Sequence, residues 1–148
     1  YDKIDHDKMS VERFLQTVKS KGLIFDPTLF LCIENKMDWA IRFVKRANQI
    51  GVKICAGTDY INDLNRPFPF IFDELDLYVE KCDFYPMEAI FTVTKVAAEA
   101  LGICNKVGTV EVGKQADLLI LSGNPFDDIK ELRKIKVVIK RGIEINVD

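Results

Sequence analysis

The sequence predicts an α/β fold, and three observations support this prediction. Two short apolar runs, residues 23–25 and 52–56, have the composition of buried strands, and helix-spaced apolar residues precede each of them. After residue 105 the pattern changes to short apolar runs separated by glycines. This second pattern is typical of a small unit built from β-strands.

A strand–helix–strand unit is predicted in the first part of the chain. Ser10 can cap a helix that ends at Gly22, and a second helix is predicted from Asp38 to Gly51. The apolar stripes are Val11, Phe14, Leu15 and Val18 in the first helix and Ile41, Val44, Ala47 and Ile50 in the second. Two strands joined through a helix at this spacing form a right-handed parallel βαβ unit.

The remaining elements divide the chain in two. After a polar loop at 60–69, helices are predicted over residues 70–82 and from Pro86 to Gly102. Strands are predicted at 116–121, 135–139 and 143–147, and the last two form a hairpin around the turn at Arg141 and Gly142. We therefore predict one domain over residues 1–104 and a β subdomain over residues 105–148.

Composition excludes several classes of function. The 148 residues include 21 basic and 23 acidic residues, and this net charge of -2 does not predict a nucleic-acid partner. A run of about 18 apolar residues, as a membrane span needs, is absent from the sequence. The four cysteines form no Cys-x-x-Cys pair, which favours a reducing cytoplasm. The basic residues Lys134, Lys136, Lys140 and Arg141 are interpreted as a solvated strand-and-loop edge.

Two or three parallel strands leave open edges, which parallel sheets normally cover. The chain is therefore expected to be completed by strands from elsewhere, either a preceding part of the same protein or another copy. Exposed strand edges also predict self-association, so that a homo-oligomer is expected.

Asp59 is the first candidate for chemistry. It closes the run from Gly51 to Asp59, at the carboxyl end of a predicted strand, where α/β enzymes place catalytic groups. Spacing alone leaves a helix cap as an equal alternative. The only histidine in the sequence, His6, could stand at the end of an earlier strand, although a lone histidine is most often structural.

Weaker candidates lie in predicted loops. Asn62 and Arg66 follow Asp59, and Glu34 is placed in the loop after the strand at 23–25; each could touch a substrate. Asp26, before a proline, is interpreted as turn chemistry.

Several motifs in order along the chain resemble the amidohydrolase superfamily of metal-dependent hydrolases. They are Gly57-Thr58-Asp59, the helix that opens Pro86-Met-Glu-Ala-Ile90, and the stretch from Gly108 to Leu118, which reads Gly-Thr-Val-Glu-Val-Gly-Lys-Gln-Ala-Asp-Leu. The last of these is the most diagnostic. Pro27-Thr28-Leu29 resembles more narrowly the imidazolonepropionase-like and Xaa-Pro dipeptidase-like (prolidase-like) branch.

The resemblance implies the C-terminal part of a (β/α)8 TIM barrel, its last two or three strands with their helices, plus the C-terminal strands of a small β-sandwich domain. Asp59 resembles the metal-binding aspartate after the eighth strand, and His6 the histidine after the sixth. The family's His-x-His, its lysine or glutamate and its fifth-strand histidine have no counterpart here. The resemblance thus implies that this chain by itself is inactive and works with a missing N-terminal part of the barrel.

The resemblance also implies a reaction. One or two divalent metals, usually zinc, activate a water that attacks a small-molecule substrate with a C–N bond, such as a cyclic amide or a dipeptide. Asp59 would act as the general base. The alternative is a non-catalytic, truncated relative that serves as a folded interaction module, and assembly of a site from two separate chains is a third possibility.

Overall fold

A computed structural model describes residues 8–59 and 65–145. The two parts of the fold meet through helices and a short 3₁₀ helix. The elements in chain order are α1 (Lys8–Ser20), β1 (Ile24–Phe25), α2 (Leu29–Glu34), α3 (Trp39–Gln49), β2 (Lys53–Ile54), α4 (Ile71–Lys81), α5 (Pro86–Val93), α6 (Lys95–Ala100), β3 (Leu118–Leu121), the 3₁₀ helix (Ile129–Arg133), β4 (Ile135–Lys140) and β5 (Ile143–Ile145).

The predicted parallel strand pair is confirmed. Ile24 pairs with Lys53 and Phe25 with Ile54, in parallel register. The Cys55 N–H donates to the Phe25 carbonyl at 2.9 Å and extends the contact by one residue. The connection between the strands holds two helices, α2 and α3, where the sequence analysis expected one.

The apolar stripes of α1 and α3 pack into the core as predicted. Leu15 and Val18 of α1 are buried, and so are Val44 and Ala47 of α3. Phe14 is the exception, with 53% of its surface exposed. Gly22 follows α1 with a φ of 63°, which lets the chain leave the helix in the left-handed region.

The predicted helix from Pro86 to Gly102 is in fact two helices, a correction to the sequence analysis. The break lies at Thr94, whose φ and ψ are -118° and -88°. Two threonine hydroxyls bond to preceding carbonyls: Thr92 to Ala89 at 2.6 Å and Thr94 to Ile90 at 2.7 Å. Such side-chain bonds compete with the helical pattern and bend helices.

The C-terminal strands form a three-stranded antiparallel sheet in the order β3-β4-β5. The predicted hairpin is confirmed, with Lys140 paired to Ile143. Its turn residues, Arg141 and Gly142, have φ values of 52° and 78°, as the tight turns that match strand twist require. The strand predicted at 116–121 begins at Leu118, and residues 146 and 147 lie outside the described part.

The 3₁₀ helix was not predicted, and it connects the sheet to α4. The Asp128 carboxylate accepts a hydrogen bond from the Lys130 N–H at 2.9 Å and so caps the start of the 3₁₀ helix. Arg133 lies 2.9 Å from the Asp76 carboxylate and 3.3 Å from that of Asp73, both on α4. Because all three side chains are mostly buried, this network is a stronger tie than a surface ion pair.

The basic residues at the sheet behave as predicted. Lys134, Lys136, Lys140 and Arg141 are exposed. Lys134 pairs with Glu131 and Lys140 with Asp117. The four cysteines are free thiols. None of the described helices combines the length and the apolar character that a membrane crossing requires.

Two residues in the stretch from Gly108 to Leu118 position the antiparallel sheet: Gly108 packs against α6, and Asp117 fixes the turn between β4 and β5. Gly108 has a φ of 99°, and a methyl carbon added there would lie 2.6 Å from the Ala98 Cβ atom of α6. Only glycine therefore fits this close approach. Asp117 accepts hydrogen bonds from Lys140 at 2.6 Å and from the Arg141 N–H at 2.8 Å, which fixes the β4–β5 turn.

We predict that Asp117→Asn lowers the melting temperature in a pH-dependent way. The hydrogen bonds from Lys140 and the Arg141 N–H lower the pKa of Asp117 from 3.8 to about 2 in the folded state. A depressed pKa contributes stability that is present above the unfolded value and is lost as the pH falls through the folded value. Thermal unfolding should thus show a gap between wild type and variant at pH 7 that closes between about pH 4 and pH 2.

Glu144→Gln, which removes a charge from the neighbouring strand β5, is the control for this experiment. A gap that is independent of pH would contradict the role of the ionised Asp117 carboxylate.

Candidate functional site

The candidate site lies at the carboxyl edge, which we define as residues 26–28 after β1 and 55–59 after β2. Because β1 and β2 are parallel, both segments leave the sheet at the same end. The Ala56 N–H donates to the Thr92 carbonyl of α5 at 3.3 Å and fixes the second segment. Asp59 ends the second segment, after β2 as predicted from the sequence.

Asp59 is exposed, so its carboxylate is accessible to solvent. Its φ of 49° lies in the left-handed region, which aspartate adopts more readily than most residues. The next helix among the described residues begins at Ile71, and the helix-cap alternative stays open. Residues 60–64 lie outside the described part.

Asp26 lies beside Asp59 on the carboxyl edge. Its carboxylate accepts hydrogen bonds from the Thr28 and Gly57 N–H groups, which lower its pKa. The desolvation of the carboxylate, together with the nearby Asp59 charge, outweighs these bonds and raises the pKa of Asp26 above its ordinary value. The hydrogen bond from the Thr28 N–H, two residues further on, is the local bond expected if Asp26 serves turn chemistry.

The turn from Asp26 to Thr28 has a strained backbone, and hydrogen bonds to Glu74 hold the residues that follow it. Thr28 has a φ of 44°, which is an outlier for a β-branched residue. The next two N–H groups, of Leu29 and Phe30, donate to the Glu74 carboxylate at 2.8 and 2.5 Å. Such strain persists only where surrounding contacts hold it.

Glu74 is a buried carboxylate that the sequence analysis missed. It lies on α4 and is 0% exposed. Desolvation raises its pKa, while the Phe30 and Leu29 N–H groups oppose the shift. The buried Tyr78 hydroxyl lies beside it without a hydrogen bond of good geometry, and burial raises the pKa of Tyr78 as well. In the sequence, Glu74 is one of several acidic residues in an ordinary amphipathic helix, so no local signal identifies it.

The two thiols near the carboxyl edge are poor nucleophiles. Burial raises the pKa of Cys55, and the Asp26 charge adds to the shift. Burial and the Glu74 charge raise the pKa of Cys32 in the same way. Thiols with raised pKa values stay protonated at neutral pH, so cysteine chemistry is not expected here.

An apolar cleft of about 330 Å³ adjoins the carboxyl edge. It lies between α1, α3 and the end of β1, and its lining includes Phe14, Phe25, Trp39, Phe43 and Asp26. The Trp39 and Phe43 rings meet edge to face, with their centres 6.4 Å apart.

The other predicted site residues have separate outcomes. His6 and Asn62 lie outside the described residues, so their positions stay predictions. Glu34 is not in a loop, a correction: it is the last residue of α2, because the chain re-enters a helix directly after the turn at 26–28. Arg66 donates to the Asp73 carboxylate at 2.8 Å, and its guanidinium carbon lies 3.9 Å from the centre of the Phe70 ring.

The donor chemistry fits a divalent metal in part. An accessible carboxylate such as that of Asp59 is a suitable oxygen ligand. Among residues 8–59 and 65–145, however, no three histidine, cysteine or acidic side chains form a group that could hold a metal ion. The described residues can thus supply a ligand to such a site but not a complete ligand set.

The chain is similar to proteins of known family. The model of the amidohydrolase family matches residues 6–145. The sequence is 35% identical to an imidazolonepropionase of Thermoplasma acidophilum over 95 residues, which cover 62% of this chain and 23% of that relative. An ochratoxinase of Aspergillus niger is 27% identical over 154 aligned positions, which cover 91% of this chain and 31% of the relative.

Solved structures give the same picture. A Xaa-Pro dipeptidase with methionine in its active site superposes with a TM-score of 0.77 at 28% identity, over 90% of this chain and 37% of that one. The Aspergillus niger ochratoxinase superposes with a TM-score of 0.73 at 27% identity, over 90% of this chain and 34% of that one. The fold is therefore α/β and similar to part of these structures; the chain spans well under half their length.

We predict that Glu74→Gln destabilises the protein by about 1–3 kcal/mol. The amide has one acceptor oxygen, so that the Leu29 or Phe30 N–H loses its partner in a buried position. Urea denaturation followed by circular dichroism measures the change.

Glu80→Gln is the matched control, because Glu80 is an exposed carboxylate on the same helix, paired with Lys130 at 2.7 Å. It should cost less than about 1 kcal/mol. Equal losses in the two variants would show that the buried position of Glu74 does not matter.

Proposed function

This chain belongs to the amidohydrolase family, and from this premise we propose that it is the C-terminal part of a metal-dependent hydrolase that cleaves C–N bonds. The observation that carries the proposal is the exposed Asp59 carboxylate on the carboxyl edge of a parallel strand pair. Active sites of (β/α)8 enzymes lie at this end of the strands.

Residues 1–104 would form the last two or three strands of the barrel with their helices, and residues 105–148 the C-terminal strands of a small β-sandwich. The parallel pair flanked by helices supports the first assignment, and the antiparallel sheet β3-β4-β5 supports the second. A barrel of this kind has about 250 residues. The remaining strands would come from a preceding N-terminal part, which is also the proposed partner of this chain.

Asp59 would bind the metal and act as the general base. Its accessible carboxylate can take the proton from the attacking water and deliver it to the leaving nitrogen. The proposed metal is divalent, with zinc as the ion and one or two ions per site. When bound, it would lower the pKa of the attacking water and polarise the substrate carbonyl. His6 is proposed as a second ligand, and without the N-terminal part the site would be incomplete and inactive.

Glu34, Asn62 and Arg66 are proposed as substrate contacts. For Arg66 this role requires that the guanidinium exchange its bond to Asp73 for one to the substrate. The substrate class would be a small molecule with a cyclic amide or a dipeptide-like C–N bond, supported by relatives named imidazolonepropionase and Xaa-Pro dipeptidase. The alternative of a non-catalytic interaction module is not favoured, because these relatives are named as enzymes. A cytoplasmic location and a homo-oligomer stay predictions.

We predict that Asp59→Asn, in the full-length enzyme that contains this chain, lowers kcat by at least ~10²-fold. Asparagine keeps the shape of the side chain but cannot accept the proton. Steady-state hydrolysis of an Xaa-Pro dipeptide and of a cyclic amide measures the loss.

Asp38→Asn makes the same chemical change at an exposed residue before α3 and should leave kcat unchanged. Turnover by Asp59→Asn within a factor of a few of wild type would refute the proposed function.

A further inference from the structure

The Asp26 carboxylate is packed against the backbone of the turn that carries Asp59. It accepts a hydrogen bond from the Gly57 N–H. A methyl carbon added at Gly57 would lie 2.5 Å from Asp26 Oδ2 and 2.9 Å from Oδ1, so a larger residue would have to displace the carboxylate. Gly57 is absent from the described glycines with positive φ, and therefore space rather than backbone conformation favours a glycine here.

Asp26 is itself held in place from the other side. It accepts a second hydrogen bond from Thr28, and the strained turn continues directly into the two N–H groups bound by Glu74. The carboxylate thus belongs to a braced segment after β1 and contacts the segment after β2. A fixed contact of this kind can set the position of a neighbouring functional side chain.

We infer that Asp26 is a positioning residue for Asp59: its contact with the Gly57 N–H holds the turn at 57–59 so that the Asp59 carboxylate stands where the reaction needs it. The inference rests on the proposed role of Asp59. Displacement of a catalytic group by about 1 Å can cost a large part of the rate. Loss of the Asp26 contact should therefore lower kcat even though Asp26 need not touch the substrate.

Three single variants and one double variant of the full-length enzyme test the inference. Asp26→Ala removes the carboxylate, and Gly57→Ala displaces it without altering a charge; each should lower kcat at least about tenfold with a much smaller change in KM. The double variant should be no slower than the slower single variant, because the methyl added at Gly57 no longer meets the carboxylate. Asp26→Asn keeps a carbonyl oxygen for the Gly57 N–H and should recover part of the rate.

Amide hydrogen exchange supplies a readout that does not depend on activity. Exchange at the Gly57 N–H should become faster in Asp26→Ala, because the acceptor is lost. Asp38→Ala, at an exposed aspartate, should leave both the exchange and kcat unchanged. Should Asp26→Ala fail to fold, Gly57→Ala and Asp26→Asn carry the same comparison.

The outcomes separate the inference from the proposed function. If Asp59→Asn abolishes turnover while Asp26→Ala and Gly57→Ala retain wild-type kcat, the inference is overturned and the proposed function stands. Rate losses that multiply in the double variant would also overturn it, since they would show two independent effects. If Asp59→Asn retains turnover, the proposed function fails together with the positioning role of Asp26.

Discussion

The hydrogen bonds from the start of α2 to the buried Glu74 carboxylate are the constraint on which the carboxyl edge depends. A carboxylate with no exposed surface is costly unless nearby donors compensate its charge. The Leu29 and Phe30 N–H groups do so, and they would otherwise be unpaired at the first turn of a six-residue helix. Because Glu74 lies on α4, the position of this helix fixes the position of the turn after β1.

Backbone strain and support coincide at this edge. Thr28 and Asp59, one in each segment, both have positive φ values, and neither is a glycine. Such conformations cost on the order of 1–3 kcal/mol each and are enriched at functional sites. Here the contacts of Glu74 and Asp26 hold the segments, while the Asp59 side chain stays exposed to solvent. A metal ligand or a general base needs an accessible carboxylate on a rigid support.

Helix α4 also connects the two parts of the fold. Its residue Glu74 contacts the start of α2, while Asp73 and Asp76 bind Arg133 of the 3₁₀ helix. Ile129, at the start of the 3₁₀ helix, is 3% exposed and belongs to the same core as Leu15 and Val44. The antiparallel sheet is thus attached through both apolar and ionic contacts to the helix that braces the candidate site.

The sequence by itself determined the elements whose signals are local. Apolar spacing gave α1 and α3, glycines and β-branched runs gave the C-terminal hairpin, and a strand followed by Gly-Thr-Asp pointed to Asp59. Only the tertiary structure decided that Glu74 is buried, that Asp26 covers Gly57, and that the helix after Pro86 breaks at Thr94. Leu29 and Glu74 are 45 positions apart, and the energy of their contact depends on desolvation and packing between elements, which no local period records.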